Sequence, residues 1–530
     1  MQRALSRLSS ETFDCLIVGG GATGCFVARD AARRGLSVAL VEANDFASAT
    51  SAHSSRLAHG GLRYLRNLEI GLVRESLRER GTLLKIAPHL VRPLPFLLPV
   101  GGFKARLTLA AGLTLYDALA MGQLPRHRWI GRAAALERAP ALAGERLKGA
   151  FEYHDAQMYS PERIALENLI DADAHGAAIA NHLACETLLI QDGKALGASV
   201  RDKLTEDVFD IRARSVVVAA GPWADLFLEK ATGRQAAHKL IRSKGIHLLM
   251  PQIAKDALAI EADGGHLFAL PWRGHTLLAT TDTPFTGDPA TVAVCESDID
   301  ALLGAFQRYL PAAHLTRDRV QAFYAGLRPL VADGPKKNKP GGTYNVSRRA
   351  ELVDHAGEGL DGVFSALGGK WTTSRALAQT VTDALVAKLG KRAGRCTTAA
   401  VALPGGRFDD FEAMVRGFNK TWPGIAALRP MAHMLGARVP GALKGARLTD
   451  LMPFNESGDT PAQVALALNE EMALTLEDMV MRRTGVGQFG PPSAQVLARI
   501  ADQMAASLGW DEARKAREIE SLAPLYRSAA

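Results

Sequence analysis

The chain has 530 residues and a mass of 56.6 kDa; 47% of its residues are apolar and 22% charged, which excludes a disordered or collagen-like polymer. At roughly 150 residues per domain, the length predicts two to four domains. A net charge of +8 suits an anionic partner, whether a phosphorylated substrate, an acidic membrane surface or a nucleic acid, and equally suits a slightly basic enzyme with no such partner.

In chain order, the opening MQRALSRLSSETF contains no apolar run that could serve as a secretory signal. The cysteines Cys15, Cys25, Cys185, Cys295 and Cys396 form no CxxC pair, which argues against a disulfide framework and for a reducing, cytoplasmic location. Leu5 and Leu8 near Arg3 and Arg7 would allow a short interfacial helix. Residues 13–18 (FDCLIV) read as a buried strand, 22–34 as a helix ended by Gly35, and 37–41 (SVALV) as a second strand closed by Glu42. Between the first strand and the helix, Gly19, Gly21 and Gly24 fit GxGxxG, with Ala22 and Thr23 at the helix start. Gly19 permits the tight turn, Gly21 lets backbone approach a pyrophosphate, and Gly24 lets helix and strand pack closely. The helix N-terminus attracts phosphate charge, and Glu42 stands where an acid would meet a ribose hydroxyl. A lone glycine motif is weak. Strand, turn, helix, second strand and terminal acid in order make a dinucleotide site.

Residues 107–124 are the nearest approach to a membrane span, but Thr108, Thr114, Tyr116, Asp117 and Gln123 interrupt them. Spanning needs about 20 predominantly apolar residues, so this segment reads as a buried or interfacial helix, with Lys104 and Arg106 beside Phe103, Leu107 and Leu109. Segments 187–190 and 195–201 flank Asp192-Gly193, a hairpin signal. They precede SVVVAAGPWAD (215–225), where a strand runs into Gly221 and Pro222 and bare backbone can again pass a ligand. A β-rich insertion of this kind, between the first unit and a later glycine turn, favours FAD over NAD as the dinucleotide. The stretch 333–342 (DGPKKNKPGG) reads as an exposed loop whose lysines could meet phosphate headgroups. From Phe408 the chain turns helical. Leu497, Ile500, Met504 and Leu508 mark one apolar face ending at Gly509, and Thr460-Pro461 and Asp511 are helix starts. This tail carries no chemical motif and reads as a helical cap or as an oligomerisation surface, such as that of a homodimer.

At 49–64 the sequence is ATSAHSSRLAHGGLRY, followed in order by LVRESLRER (72–80), APHL (87–90), FEYHDA (151–156), AAGPWAD (219–225), SKGIHLLMP (243–251), TTDTPFTGDP (280–289), AGLRPL (325–330), LGGKWTTSR (367–375) and LPGG (403–406). This series resembles the respiratory FAD-dependent glycerol-3-phosphate dehydrogenases over at least residues 13–406. The resemblance implies an α/β (α+β) flavoprotein of the glycine-oxidase-like type, with three parts. These are a Rossmann-like FAD domain (about 11–85, 150–235 and 355–400), a mostly antiparallel substrate domain (about 86–149 and 236–354) and a C-terminal helical domain (401–530). It further implies oxidation of sn-glycerol 3-phosphate to dihydroxyacetone phosphate by hydride transfer to FAD. Electrons would pass to membrane quinone, and the protein would sit peripherally on the inner face of the cell membrane, on an anionic surface. Thr50, Ser51, Gly368, Gly369 and Thr372 join the expected cofactor set, and no metal is expected.

Oxidising a secondary alcohol by hydride transfer requires an acceptor for the hydroxyl proton, a cation near the developing alkoxide and cationic anchors for phosphate. His59, Arg63, Tyr64, His247, Arg328, Arg348 and Lys370 supply that inventory. His59, His247, Arg328 and Lys370 are the catalytic candidates, with His59 and Lys370 foremost as proton acceptors; Arg63, Tyr64 and Arg348 are the phosphate candidates. Two departures from the family pattern bear on the polyol phosphate: QMYSPER after FEYHDA lacks an acidic pair, and Arg349-Ala350 replace the acidic and aromatic residues that tend to follow Ser347-Arg348. Another polyol phosphate such as erythritol phosphate, or oxygen as acceptor, is therefore the alternative. A nucleic-acid-binding flavoprotein is disfavoured, since no basic stripe with interleaved aromatics occurs.

Overall fold

The first apolar run forms the strand Cys15–Val18, buried along its length, and the glycine turn leads into the helix Ala22–Arg33 and the strand Val38–Val41. Phe13, expected in the same strand, instead pairs from Thr12–Phe13 with Val208–Ala213 in another sheet. This computed structural model describes residues 1–144, 147–262, 265–331 and 349–529. The 333–342 loop and Arg348 lie outside them.

The six-stranded sheet runs in the order Ala350–Asp354, Val363–Gly368, Val216–Val218, Cys15–Val18, Val38–Val41, Ala178–Ala180. All pairs are parallel except the antiparallel one at the Ala350–Asp354 edge. Its central strands are apolar at every position because helices cover one face and a second sheet the other. The helix Ala22–Arg33 packs against Pro161–Asp173 and Ser374–Leu389. Arg29, fully buried there, is neutralised by Asp171 at 2.7 Å. The predicted hairpin is present as Leu183–Gln191 and Lys194–Asp202, longer than expected, with Asp192 and Gly193 both at positive φ (50° and 75°) as a tight hairpin turn requires.

A ten-stranded sheet carries the other half of the molecule, among the described residues. Its pairings are antiparallel except that of Ala257–Ala262 with Val91–Val100. The strands Leu240–Pro251 and Ala322–Val331 lie side by side, setting Ser243 opposite Arg328, Gly245 opposite Gly326 and His247 opposite Tyr324. The strand Gly149–Met158 bridges from this sheet toward the glycine-rich turn at 59–61.

The C-terminal segment is helical. Thr460 forms a capping box with Gln463 ahead of the helix Pro461–Glu470, Asp511 caps Glu512–Glu520, and Ala494–Leu508 buries Ile500 and Met504 before Gly509 turns left-handed at φ 71°. Two sequence readings change. Residues 107–120 of the segment 107–124 fall in the helix Phe103–Ala120, which buries only Leu113, Tyr116 and Ala120 and leaves Phe103 and Leu107 74% and 56% exposed, so of the two readings, buried or interfacial, the buried one is excluded. The helix Leu5–Ser10 is docked rather than free to lie on a surface. Leu8 is buried, and Arg3 donates to Asp202 and to the carbonyl of Asn181.

Candidate functional site: a dinucleotide turn opening on a cationic cleft

The glycines of the first turn do three different jobs. Gly19 sits at φ 110°, and a Cβ there would lie 2.6 Å from the Ala219 carbonyl oxygen; a Cβ on Gly24 would overlap the carbonyl oxygen of Gly19. Both positions are closed by backbone. Gly21 is different: a Cβ would meet only the Ser51 hydroxyl, at 3.3 Å. Gly21 is the N-cap of the helix and has no side chain of its own to cap it, so the first-turn N–H groups face the position where a phosphate would bind. The Ser51 hydroxyl accepts from the Ala22 N–H at 2.9 Å. At the end of the second strand, the Glu42 carboxylate accepts from Gly20 N–H at 2.6 Å and from Asn44 N–H at 2.8 Å, leaving further lone pairs for a ribose hydroxyl. Burial pushes the Glu42 carboxyl above its ordinary range, and the backbone N–H groups oppose that rise. An open helix N-terminus, a hydroxyl beside it and an acid beyond the turn fit an adenine dinucleotide.

The second glycine turn follows the strand Val216–Val218. Gly221 is at φ 52° with open space where a Cβ would be, and Arg242 fixes the turn by donating to the Pro222 carbonyl at 2.8 Å. The third follows Val363–Gly368, where Gly368 and Gly369 take φ values of 64° and 85°. The Thr372 hydroxyl then accepts the His59 N–H at 3.2 Å, joining this turn to the 59–61 turn.

Between these turns and the large sheet lies a cleft of about 1290 Å³. Thr50, His59, Arg63, Tyr64, His247, Arg328, Gly369, Lys370 and Thr372 line it, so of the predicted substrate residues every one within the described residues is brought together. The arrangement is fixed by neighbours. Gly61 is left-handed at φ 78°, which lets Tyr64 fold back over it, and Arg63 and Lys370 lie 4.9 and 4.5 Å from the Tyr64 ring. Lys370 donates from Nζ to the Ser76 hydroxyl. Arg328 donates to the Thr281 carbonyl at 2.9 Å and to Ser243 Oγ at 3.2 Å, and passes over Gly245, where any Cβ would collide with its guanidinium. That contact explains the small residue in SKGIH.

His247 is 2% exposed; its Nε2 bonds Ser55 Oγ at 3.0 Å, and its Nδ1 has no hydrogen-bond partner among the described residues. Burial, with Arg328 and Arg56 nearby, holds its pKa well below the usual histidine range, so the ring is neutral at pH 7. It stacks on Tyr324 at 4.8 Å, and His53 stacks on the same tyrosine at 5.5 Å. Beneath the 59–61 turn, Asp155 accepts from Gly60 N–H (2.9 Å), Arg80 (3.0 Å) and the Tyr116 hydroxyl (3.0 Å).

Sequence reasoning missed His53, Ser55, Ser243, Tyr324 and Asp155. The first two stand inside the 49–64 motif, five or more residues before its glycines, where no local signal sets them apart. The register that brings Ser243 and Tyr324 to the site is visible only once the two strands are paired. The QMYSPER departure is structural. Glu162 pairs with Arg56, Ser160 caps the helix Pro161–Asp173, and none of residues 157–163 lines the cleft.

Residues 14–384 match the model of the FAD dependent oxidoreductase family, and 396–515 match that of the C-terminal domain of alpha-glycerophosphate oxidase. A glycerol-3-phosphate dehydrogenase of Synechocystis sp. is 33% identical, covering 98% of this chain and 97% of that protein. Glycerol-3-phosphate dehydrogenase 2 of Mycobacterium tuberculosis is 36% identical, covering 98% and 89%. Among solved structures, the glycerol-3-phosphate dehydrogenase from Bacillus halodurans complexed with FAD has a TM-score of 0.78 at 29% identity over 99% of this chain and 96% of that one. Glycine oxidase from Bacillus cereus, at 19% identity and a TM-score of 0.53 over 71% of this chain and 98% of that one, shares the fold. With the dinucleotide turn, the cationic cleft and these likenesses in agreement, the chain belongs to the FAD-dependent glycerol-3-phosphate dehydrogenase family.

Proposed function

We propose that this protein oxidises sn-glycerol 3-phosphate to dihydroxyacetone phosphate and passes the electrons to membrane quinone. The observation that carries the reading is the cleft, where Arg63, Arg328 and Lys370 stand with His59, His247 and Tyr64 beside the bare turns at Gly61 and Gly369. Bound FAD supplies the hydride acceptor.

The chain's own groups do the rest. Arg63 and Tyr64, with Arg348 by sequence, hold the phosphate through charge-assisted hydrogen bonds. Arg328, oriented by Ser243 and the Thr281 carbonyl, supports negative charge developing on the substrate oxygen. The neutral His247 ring, whose Nδ1 has no hydrogen-bond partner among the described residues, joins His59 and Lys370 as a candidate to take the hydroxyl proton. Because the QMYSPER segment lies away from the cleft, that departure gives no reason to prefer a larger polyol phosphate.

Among the described residues no helix is long and apolar enough to cross a membrane. The exposed Phe103, Leu107, Leu115 and Met121, with Lys104 and Arg106 on the same helix, suit peripheral contact with an anionic surface at the inner face of the cell membrane. Purified holoenzyme should reduce an artificial dye with glycerol 3-phosphate in preference to erythritol phosphate and other polyol phosphates. A different best substrate in that panel would replace this reading, and unchanged turnover with oxygen alone would replace quinone.

A further inference from the structure

One buried cluster outside the cleft joins the two ends of the chain. The Asp45 carboxylate, fully buried, accepts from Arg482 Nε at 2.6 Å, from Arg483 Nη1 and Nη2 at 2.7 Å each, and from Asn181 Nδ2 at 3.0 Å. Arg482 also donates to Asp478 (3.0 Å) and Glu477 (2.8 Å), while His182 bonds the other Asp478 oxygen at 2.9 Å. Asp45, His182 and Asp478 are close enough together to suggest a cation site. The arginines already occupy the carboxylates, so no metal is needed to neutralise them.

The position of Asp45 gives the cluster its meaning. Asp45 lies in the segment running from Glu42 to Ser51, the two side chains that flank the open helix N-terminus. Next to it, Phe46 packs under Gly20, and the Ala47 N–H donates to the Gly20 carbonyl at 2.9 Å. The glycine turn therefore rests on a segment whose fully buried carboxylate, that of Asp45, is held by two side chains from the C-terminal helical region.

We infer that Arg482 and Arg483 are positioning residues for FAD: through Asp45 they hold the Glu42–Ser51 segment in the shape that binds the dinucleotide, so the C-terminal region is part of the cofactor site. This rests on Gly21, Glu42 and Ser51 being that site. Arg482 is also near enough to the cleft to help, behind burial, keep His53 uncharged.

The test uses the full chain as holoenzyme and after reversible flavin removal. Arg482→Lys, Arg483→Lys and Asp45→Asn are compared with Arg429→Lys, which weakens the pairing with Glu412 elsewhere in the C-terminal region. Flavin fluorescence gives the FAD Kd and off-rate, and melting is recorded with and without FAD. We expect the three cluster variants to raise the FAD Kd at least 10-fold and to shrink the gap between holo and apo melting temperatures. Arg429→Lys should shift both melting temperatures together and leave Kd within 2-fold. Cluster variants that fold, lose stability equally with and without FAD and keep the wild-type Kd would overturn the inference. Gly21→Val separates the underlying assignment: if it too retains FAD, the site itself is misplaced, whereas flavin loss only there rejects the role of the arginines.

Discussion

Replacing Gly21 and Gly24 in turn separates cofactor binding from folding within one motif. Gly21 has φ −73° and ψ −179°, a conformation open to any L-residue, and its only neighbour within 4 Å of a new Cβ is the Ser51 hydroxyl at 3.3 Å. Gly21→Val should therefore cost the apo protein about 1 kcal/mol or less, the scale of a poorer N-cap. The side chain would, however, stand where backbone meets pyrophosphate. Losing one charge-assisted hydrogen bond costs about 1.5–3 kcal/mol, roughly 10- to 150-fold in FAD affinity. At Gly24 the new Cβ overlaps the Gly19 carbonyl oxygen, which is backbone and cannot swing aside. Gly24→Ala should cost about 1–3 kcal/mol as overpacking does, with or without flavin. Absorbance of the purified protein gives flavin occupancy, and melting of the stripped protein gives apo stability. Gly21→Val protein that keeps wild-type flavin affinity would refute the reasoning, as would an apo melting temperature that falls further for Gly21→Val than for Gly24→Ala.

Three further outcomes are expected. Arg328→Met should slow flavin reduction at saturating glycerol 3-phosphate by about 10²–10³-fold in stopped flow, as loss of a group stabilising developing charge does, whereas Arg348→Met should chiefly raise KM; a wild-type limiting rate for the first, or an unchanged substrate dependence for the second, rejects that role. Burial lowers the pKa of His53 to about 4, of His433 to about 3, and of His247 well below the ordinary value. These rings are neutral when folded and take up protons only on unfolding, so their stability contribution is intact above roughly pH 6.5 and is lost as pH falls toward 4. Denaturant melts at pH 7.5, 6 and 5 (chosen to span that window, roughly) should fall in that order, and a flat series contradicts it. Liposome co-sedimentation should weaken with salt and with loss of anionic lipid, because exposed charges are screened within about 8 Å at physiological strength; indifference to both removes the electrostatic contribution.

Local signals in the sequence located the parts of this structure that depend on local geometry. FDCLIVGGGATG carries its own strand, turn and helix, and Asp192-Gly193 its own hairpin, because each depends on φ values and periodicity within a few residues. The motif residues His59, Arg63, Arg328 and Lys370 converge on one cleft as expected. What was not legible depends on partners far along the chain. Whether Leu8 is buried is decided by the sheet beneath it, and the exposure of Phe103 by the lack, among the described residues, of a covering element over that face of its helix. Likewise the arginine pair 482–483 looks like two solvated charges until Asp45 is placed between them.

That last pairing also constrains when the protein can be finished. Asp45 and Arg482 are separated by 437 residues of chain, so a ribosome adding roughly 5–20 residues per second needs about 20–90 s between exposing the first and supplying the second. Throughout that interval the nascent Rossmann unit carries a buried-to-be carboxylate without its counter-charges. Free flavin present during synthesis would meet a turn that Arg482 and Arg483 do not yet brace, so the role inferred for them would place capture of the cofactor after the C-terminal helices have been made.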